Sequence, residues 1–391
     1  MDNTIETLLK ALQIALFNDN IDITIQNPRK LYTIAKANGL SGTIYGVVKD
    51  SLNDEKALSK FKKEFFLYIS DDSKKTEVKN IITNKFNELC INHIYLKGMR
   101  IKELYPKSYM RSMGDIDLLI KEDDFDKAEK ELIKSGFNLH SRGPVHNQYF
   151  YGKTEVELHR TLRQKDKFDE FKILDKVWDS VQEVSSNEYR IKPEVELVYL
   201  IFHLKKHLLV AGVGLRNILD IGIYVNCYQN EINFDLLNKI LIETNSGSFF
   251  EQLILFNEKY LNIPLSQKCG ITAKFDNELY EVFTQYIIKS GVHGLGVSFN
   301  TFVSRFAANK NNNTKNGKSF SRMVFPSYNT MKYKYPKLCR YKVFLPLGWI
   351  RRGINVLFKK NKRIVAYSKQ IKSVDTNDVV ETSKLFKKMG I

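Results

Sequence analysis

The sequence predicts an α+β protein, with a small mixed-sheet core flanked by N-terminal and C-terminal helical regions. Two patterns predict it. Apolar residues spaced three and four apart fill the first 75 or so residues and return after about residue 170. Between them lie short apolar runs bounded by glycine, with the two-residue alternation of strands. The strands are gathered in one stretch, so the layout is segregated rather than a repeating βαβ chain.

Taken in order, IETLLKALQIALF sets Leu8, Leu9, Leu12, Ala15 and Leu16 on one helical face. LYTIAKANGL repeats the spacing at Leu31, Ile34 and Ala35, with Gly39 placed as a C-cap. KNIITNKFNELCINHI, residues 79–94, predicts a further amphipathic helix. Ile94-Tyr95-Leu96 is strand-like and ends at Lys97-Gly98, and residues 116–120 form a second expected strand. DDFDKAEKELIKSGF is a helix with Phe125, Ala128, Leu132 and Ile133 on one face, closed by Gly136. HNQYFY (146–151) and TEVELH (154–159) are two more strands, and helical spacing resumes through 194–210. These elements divide the chain into an N-terminal helical region (1–78), an α/β core (79–165), a helical region (166–300) and a basic C-terminal region (301–391). In the last, NKNNNTKNGK (309–318) is a linker or insertion. WIRRGINVLFKKNKR (349–363) sets Ile350, Ile354, Leu357 and Phe358 on one face, ringed by Arg351, Arg352, Lys359, Lys360, Lys362 and Arg363.

The first residues carry acids early and lack a basic start before a long apolar block, so they are read as neither a signal nor a transit peptide. No apolar run approaches the ~20 residues that span a bilayer. Cys90, Cys227, Cys269 and Cys339 are scattered, which indicates neither a disulfide framework nor a zinc knuckle. The expected location is the cytoplasm. The net charge of +17 is uneven: residues 301–391 hold 21 Lys and Arg against 3 Asp and Glu, while the first 300 hold 40 against 41. A basic appendage on a neutral body points to an anionic partner. A helix there with Trp349 at the interface suits peripheral contact with an anionic membrane at its inner face. Nucleic acid ranks below it, because no recognisable RNA-binding motif accompanies the charge.

The chemistry gathers at RSMGDIDLLI, residues 111–120. Side chains two apart on a strand share a side, so Asp115 and Asp117 project together while Ile116 and Leu118 enter the core. Like charges on one face repel unless a cation lies between them, and magnesium favours carboxylate oxygens together with substrate phosphates. Asp124 and Asp126 are instead acids at a helix start, where the dipole favours them. Along EVELH, Glu155, Glu157 and His159 alternate, so a third carboxylate can reach the same metal from a neighbouring strand. Gly98 lets backbone N–H groups approach a phosphate, and Lys97 and Arg111 supply the cations a polyphosphate requires. This order of parts is the layout of two-metal nucleotidyl transfer.

The sequence resembles the bacterial "uncharacterised nucleotidyltransferase" family of the DNA polymerase β-like superfamily. The resemblance lies in Leu96-Lys97-Gly98, in Arg111 with Gly114-Asp115-Ile116-Asp117-Leu118-Leu119-Ile120, and in Glu157-Leu158-His159. Weaker likeness extends to LYTIAKANGLSGTIYGV (31–47), to FHLKKHLLVAGVGLRNILDIGIY (202–224), and to Phe325-Pro326, Tyr335-Pro336 and Trp349-Ile350-Arg351-Arg352. One departure concerns the first motif, which the superfamily writes as Gly followed by Gly or Ser about a dozen residues before the first acid. Here Gly98 follows a lysine and lies 17 positions before Asp115.

The resemblance implies that Asp115 and Asp117 coordinate two Mg2+ ions with the phosphates of an NTP. Glu157 then completes the second metal position or acts as base toward the acceptor. His159 holds a phosphate or orients Glu157, and Gly114 leaves room for substrate. The family's frequent association with surface-polysaccharide gene clusters makes that biosynthesis the expected setting. His203 and His207 share a helical face, without the glutamate of a zincin motif. They are either structural or part of nucleotide binding. Arg216 and Asp220 are likewise either an i,i+4 salt bridge or an arginine facing the triphosphate with its orienting acid. Two other functions fit the same residues: a catalytically silent nucleotide-binding or scaffold protein, and a toxin- or antibiotic-modifying-type transferase acting on tRNA, protein or an aminoglycoside-like molecule.

Overall fold

Among the described residues, seven strands form one mixed sheet: β1 (His93–Leu96), β2 (Ile116–Ile120), β3 (Asn138–Arg142), β4 (His146–Tyr151), β5 (Thr154–His159), β6 (Val181–Ser185) and β7 (Glu188–Ile191). Their order is β3-β4-β5-β2-β1-β7-β6. β2 runs antiparallel to β1 and parallel to β5, with Asp117 beside Leu96 on one side and Glu157 on the other. The computed structural model describes residues 1–164, 168–292, 301–311, 325–358 and 373–391.

The N-terminal helices are α1 (Asn3–Phe17), α2 (Pro28–Ala37), α3 (Ser41–Val48) and α4 (Glu55–Glu88). Asp2, Asn27 and Asp54 cap the starts of α1, α2 and α4, each accepting a bond from an otherwise orphaned backbone N–H. Gly39 has φ +70° and closes α2 as expected. The helix expected over 79–94 is instead the end of α4, a single helix of 34 residues, and it stops at Glu88. Two different cores explain its length. Phe61, near its start, packs with α1 to α3, whereas Val78, Ile82 and Phe86 lie under the sheet.

A short helix, α5 (Gly98–Ile101), follows β1, and α6 (Glu122–Lys134) follows β2. Ile116, Leu118 and Ile120 of β2 meet Val156 and Leu158 of β5, Phe125, Ala128 and Leu132 of α6, and the end of α4. The opposite face of the sheet, carrying Ile94, Leu96 and Leu119, packs on the helical body. By alternation Asp117 belongs to that second face. The helical expectation after about 170 is met by a kinked 3₁₀ helix over Asp169–Ser180 and resumes at Pro193. Before it, residues 181–191 form the hairpin β6–β7, and β7 extends the sheet parallel to β1. VQEVSSNEYRI lacks a clear apolar alternation because β6 is an edge strand, largely exposed on both faces.

The body consists of α7 (Pro193–Val210), α8 (Leu215–Tyr228), α9 (Phe234–Glu243), α10 (Gly247–Leu261), α11 (Asn277–Ser290) and α12 (Thr301–Asn311). α7 is buried on nearly all sides, so its apolar residues outrun a single stripe. Then come α13 (Tyr328–Lys334), α14 (Leu345–Phe358) and α15 (Thr376–Lys388), whose Phe386 and Met389 side close the main core. Most of the expected linker at 309–318, together with Lys359, Lys360, Lys362 and Arg363, lies outside the described residues. Among the described residues, no helix is long and apolar enough to cross a membrane.

Candidate active site

A cleft of about 440 Å³ opens where the ends of β1, β2 and β5 face α7 and α8. Lys97, Gly98, Arg111, Gly114, Asp115, Asp117, Glu157, His159, His203, His207, Arg216 and Asp220 all line it. A volume of this size is ordinary for a small-molecule site.

The sheet supplies the acids. Parallel pairing of β2 and β5 sets Asp117 directly beside Glu157. Oxygens of Asp115, Glu155 and Glu157 lie within 4.8 Å of one another. The charge of Asp117, reinforced by burial, pushes the Asp115 carboxyl up to about 6. Asp117 itself is almost wholly buried. Burial alone would raise its carboxyl, but the Lys97 ammonium and a bond from His159 outweigh that and hold it well below the usual carboxylate range. Lys97 Nζ donates to Asp117 Oδ1 at 2.7 Å, and His159 Nε2 stands 2.8 Å from the same oxygen. The two shifts are reciprocal. Burial would lower His159, yet Asp117 and Glu157 raise it.

Lys97 adopts φ +44° where the chain leaves β1, a left-handed conformation uncommon for a lysine. The adjoining glycine has a packing reason. A Cβ at Gly98 would meet Arg111 Nη1 at 2.8 Å and Met113 Cε at 3.0 Å. At Gly114, by contrast, a Cβ would meet nothing within 4 Å.

Arg111 forms a two-bonded pair with Asp220, Nη2 to Oδ2 at 2.7 Å and Nε to Oδ1 at 3.2 Å. Tyr105 Oη donates to the same Oδ1 at 2.8 Å. The i,i+4 bridge from Arg216 to Asp220 gives way to this longer-range partner. Arg216 turns to Ser112 instead, donating to its carbonyl at 2.5 Å and its hydroxyl at 2.7 Å. Ser112 Oγ in turn donates to the Gly39 carbonyl at 2.8 Å. A Cβ at Gly39 would stand 2.9 Å from Arg216 Nη1, so this glycine serves both the left-handed turn and the approach of the arginine. His203 and His207 face each other from consecutive turns of α7, Nε2 to Nε2 at 3.0 Å.

Among the lining residues that sequence reasoning passed over are His146, Tyr199, Arg163 and Lys206. His146 had a signal. The two-residue loop Gly152-Lys153 fixes the β4–β5 register and sets His146 opposite His159. His146 Nε2 lies 3.2 Å from Glu157 Oε1, and burial with the neighbouring His159 charge lowers its imidazole to about 4. Tyr199 lies beside Lys97 from α7, and nothing local in its sequence marks it out.

A mixed sheet with acids on two parallel neighbouring strands, facing a cleft lined by lysine and arginine, fits a nucleotidyltransferase. The chain belongs to the uncharacterised nucleotidyltransferase family, whose sequence model matches residues 25–262 and so takes in all of the cleft residues named above. No curated protein and no solved structure matches it.

Proposed function

We propose that the cleft transfers an NMP from an NTP to an acceptor hydroxyl or phosphate, with Asp115, Asp117 and Glu157 as the catalytic acids. The observation that carries this reading is the meeting of three carboxylate oxygens, from Asp115, Glu155 and Glu157, within 4.8 Å. Carboxylate oxygens gathered this closely repel unless a cation lies among them, and Mg2+ takes such oxygens at about 2.0–2.1 Å. The raised Asp115 carboxyl marks negative charge that the protein's own cations leave unneutralised. The residues fit a divalent metal, and two Mg2+ ions are the proposed cofactors. When bound, magnesium stabilises charge on the transferring phosphoryl group and makes an acceptor hydroxyl more acidic.

The chain's own residues supply the rest. Lys97 and His159 both contact Oδ1 of Asp117, which fixes the carboxylate next to Asp115; the two aspartates would hold the cation together with Glu157. Arg111, Arg216, His203 and His207 bind the nucleotide, with Asp220 orienting Arg111, the Gly98 backbone approaching a phosphate, and Gly114 giving the phosphates room. Glu157 accepts the acceptor's proton as its oxygen bonds to the α-phosphorus. The bond to the β-phosphate bridge breaks and pyrophosphate leaves. The test is pyrophosphate release with each NTP across a panel of sugar, sugar-phosphate and alcohol acceptors, beside Asp115→Ala. We expect release that needs Mg2+ and vanishes in the variant. Nucleotide binding that is unchanged in the variant would sink the metal assignment. Tight binding without release for any acceptor would favour the silent-scaffold reading.

Surface-polysaccharide assembly is the proposed setting, and a peripheral seat on an anionic bilayer accords with it. Residues 282–374 contain 19 Lys and Arg and no Asp or Glu. Within them Tyr341, Val343, Phe344, Leu347, Ile350 and Ile354 are exposed, with Lys342, Arg351 and Arg352 interleaved. Apolar side chains set among basic ones suit a lipid interface better than a nucleic-acid groove. Trp349 is half-buried beside exposed Phe325, its indole N–H donating to the Pro326 carbonyl at 3.0 Å.

A further inference from the structure

Beside the carboxylates lies a chemically different set of donors. β4 and β5 pair antiparallel with His146 opposite His159, and Glu157 lies between the two imidazoles on the same face. His146 Nε2 stands 3.2 Å from Glu157 Oε1, and His159 Nε2 stands 3.2 Å from Glu157 Oε2. Each ring addresses its own oxygen of one carboxylate. A donor atom from each of the three residues lies within 4.8 Å of the other two.

We propose that His146, Glu157 and His159 form a nitrogen-bearing cation site that takes Mn2+ in preference to Mg2+, with Glu157 bridging it to the all-oxygen position of Asp115 and Glu155. The inference rests on the metal-dependent reading above and gives the two cation positions different identities. Mg2+ is a small, hard ion that favours oxygen and retains water, whereas Mn2+ takes oxygen too but, as a transition ion, accepts imidazole nitrogen beside it, so a mixed nitrogen and carboxylate set favours Mn2+ over Mg2+. A carboxylate bracketed by two rings can offer one oxygen to each of two ions, in which case Glu157 is a ligand and the acceptor's proton leaves to water instead. His159 Nε2 also stands 2.8 Å from Asp117 Oδ1, and ligation replaces that hydrogen bond, the nitrogen giving up its proton to take the cation. A cation held by that nitrogen therefore sits within reach of the second aspartate of the DID pair. The competing account has both histidines only donating hydrogen bonds that orient Glu157. Direct ligation separates the two.

The test uses the full chain with Mn2+ alone as the probe. Electron paramagnetic resonance counts the bound ion, and spin-echo modulation detects nitrogen nuclei bonded to it. We expect nitrogen modulation in the wild-type protein that persists in excess Mg2+. His146→Asn is expected to weaken Mn2+ binding by about tenfold or more while Mg2+ affinity stays near its wild-type value. The wild-type spectrum is decisive even if a variant fails to fold. Bound Mn2+ without nitrogen modulation overturns histidine ligation and leaves the carboxylate reading standing. Absence of bound Mn2+ overturns the proposal. If Asp115→Asn then also leaves Mg2+-dependent nucleotide binding unchanged, the carboxylate reading falls with it.

Discussion

Replacing Asp220 with asparagine changes one atom and removes one charge at the junction of α8 with the turn before β2. Asp220 is 5 % exposed and Arg111 8 %, so water compensates little for what is lost. Asparagine keeps one oxygen, which can still accept from Tyr105 and from Arg111 Nε. Its amide nitrogen then faces Arg111 Nη2 across the present 2.7 Å contact, donor against donor. A hydrogen bond to a charged group contributes about 1.5–3 kcal/mol, and an unpaired buried charge brings the cost of breaking such a pair to about 3–5 kcal/mol. Arg216, also buried, loses the same counter-charge. Asp220→Asn is therefore expected to destabilise by about 3–5 kcal/mol. Urea unfolding followed by the fluorescence of Trp178, which packs on Tyr189 at 6.1 Å between ring centroids, measures it. The paired replacement Arg111→Met with Asp220→Leu is expected to recover part of the loss, because the Arg111 charge is no longer stranded while Arg216 keeps its bonds to Ser112. A loss below about 1 kcal/mol for Asp220→Asn, in the range of a surface pair, would refute this account of the pair.

The Asp115 carboxyl is raised from 3.8 to about 6 in the folded protein. A raised group stabilises the fold below its unfolded value and loses that contribution as pH rises through the folded one. The metal-free protein is thus expected to lose up to about 2–3 kcal/mol between pH about 4 and about 6. Asp115→Asn in EDTA at neutral pH is then more stable than wild type by urea midpoint, an order that Mg2+ reverses. Gly222→Ala is expected to cost about 1–3 kcal/mol, read as a thermal shift, because the new methyl meets the Asn257 side chain where α8 crosses α10. Val343→Glu with Ile350→Glu is expected to release the protein from phosphatidylglycerol vesicles in co-sedimentation while Mg2+ affinity stays the same. Retention at the wild-type level would leave the exposed apolar face without a lipid role.

The parts legible in the sequence were those set by local period and local geometry. Alternation in TEVELH and GDIDLLI marks which side chains share a face, and the two-residue loop at Gly152-Lys153 fixes a register. Contacts closed over long separations were not legible. Arg111 and Asp220 are 109 residues apart, and an i,i+4 neighbour looked the simpler partner until burial favoured the two-bonded pair. β6 was missed for a related reason, since an edge strand has no buried face to impose alternation. The helix over 79–94 was placed correctly in kind but not in extent, because its start lies in another core.

That extended helix has a mechanical consequence. At about 1.5 Å per residue, α4 is a beam roughly 50 Å long, rooted at one end among the N-terminal helices and at the other beneath the catalytic strands. Neither core can loosen without disturbing the seat of the other. Truncation of the first 54 residues should therefore slacken the sheet's underside as well as remove the outer helices, and the two halves are expected to melt in one transition.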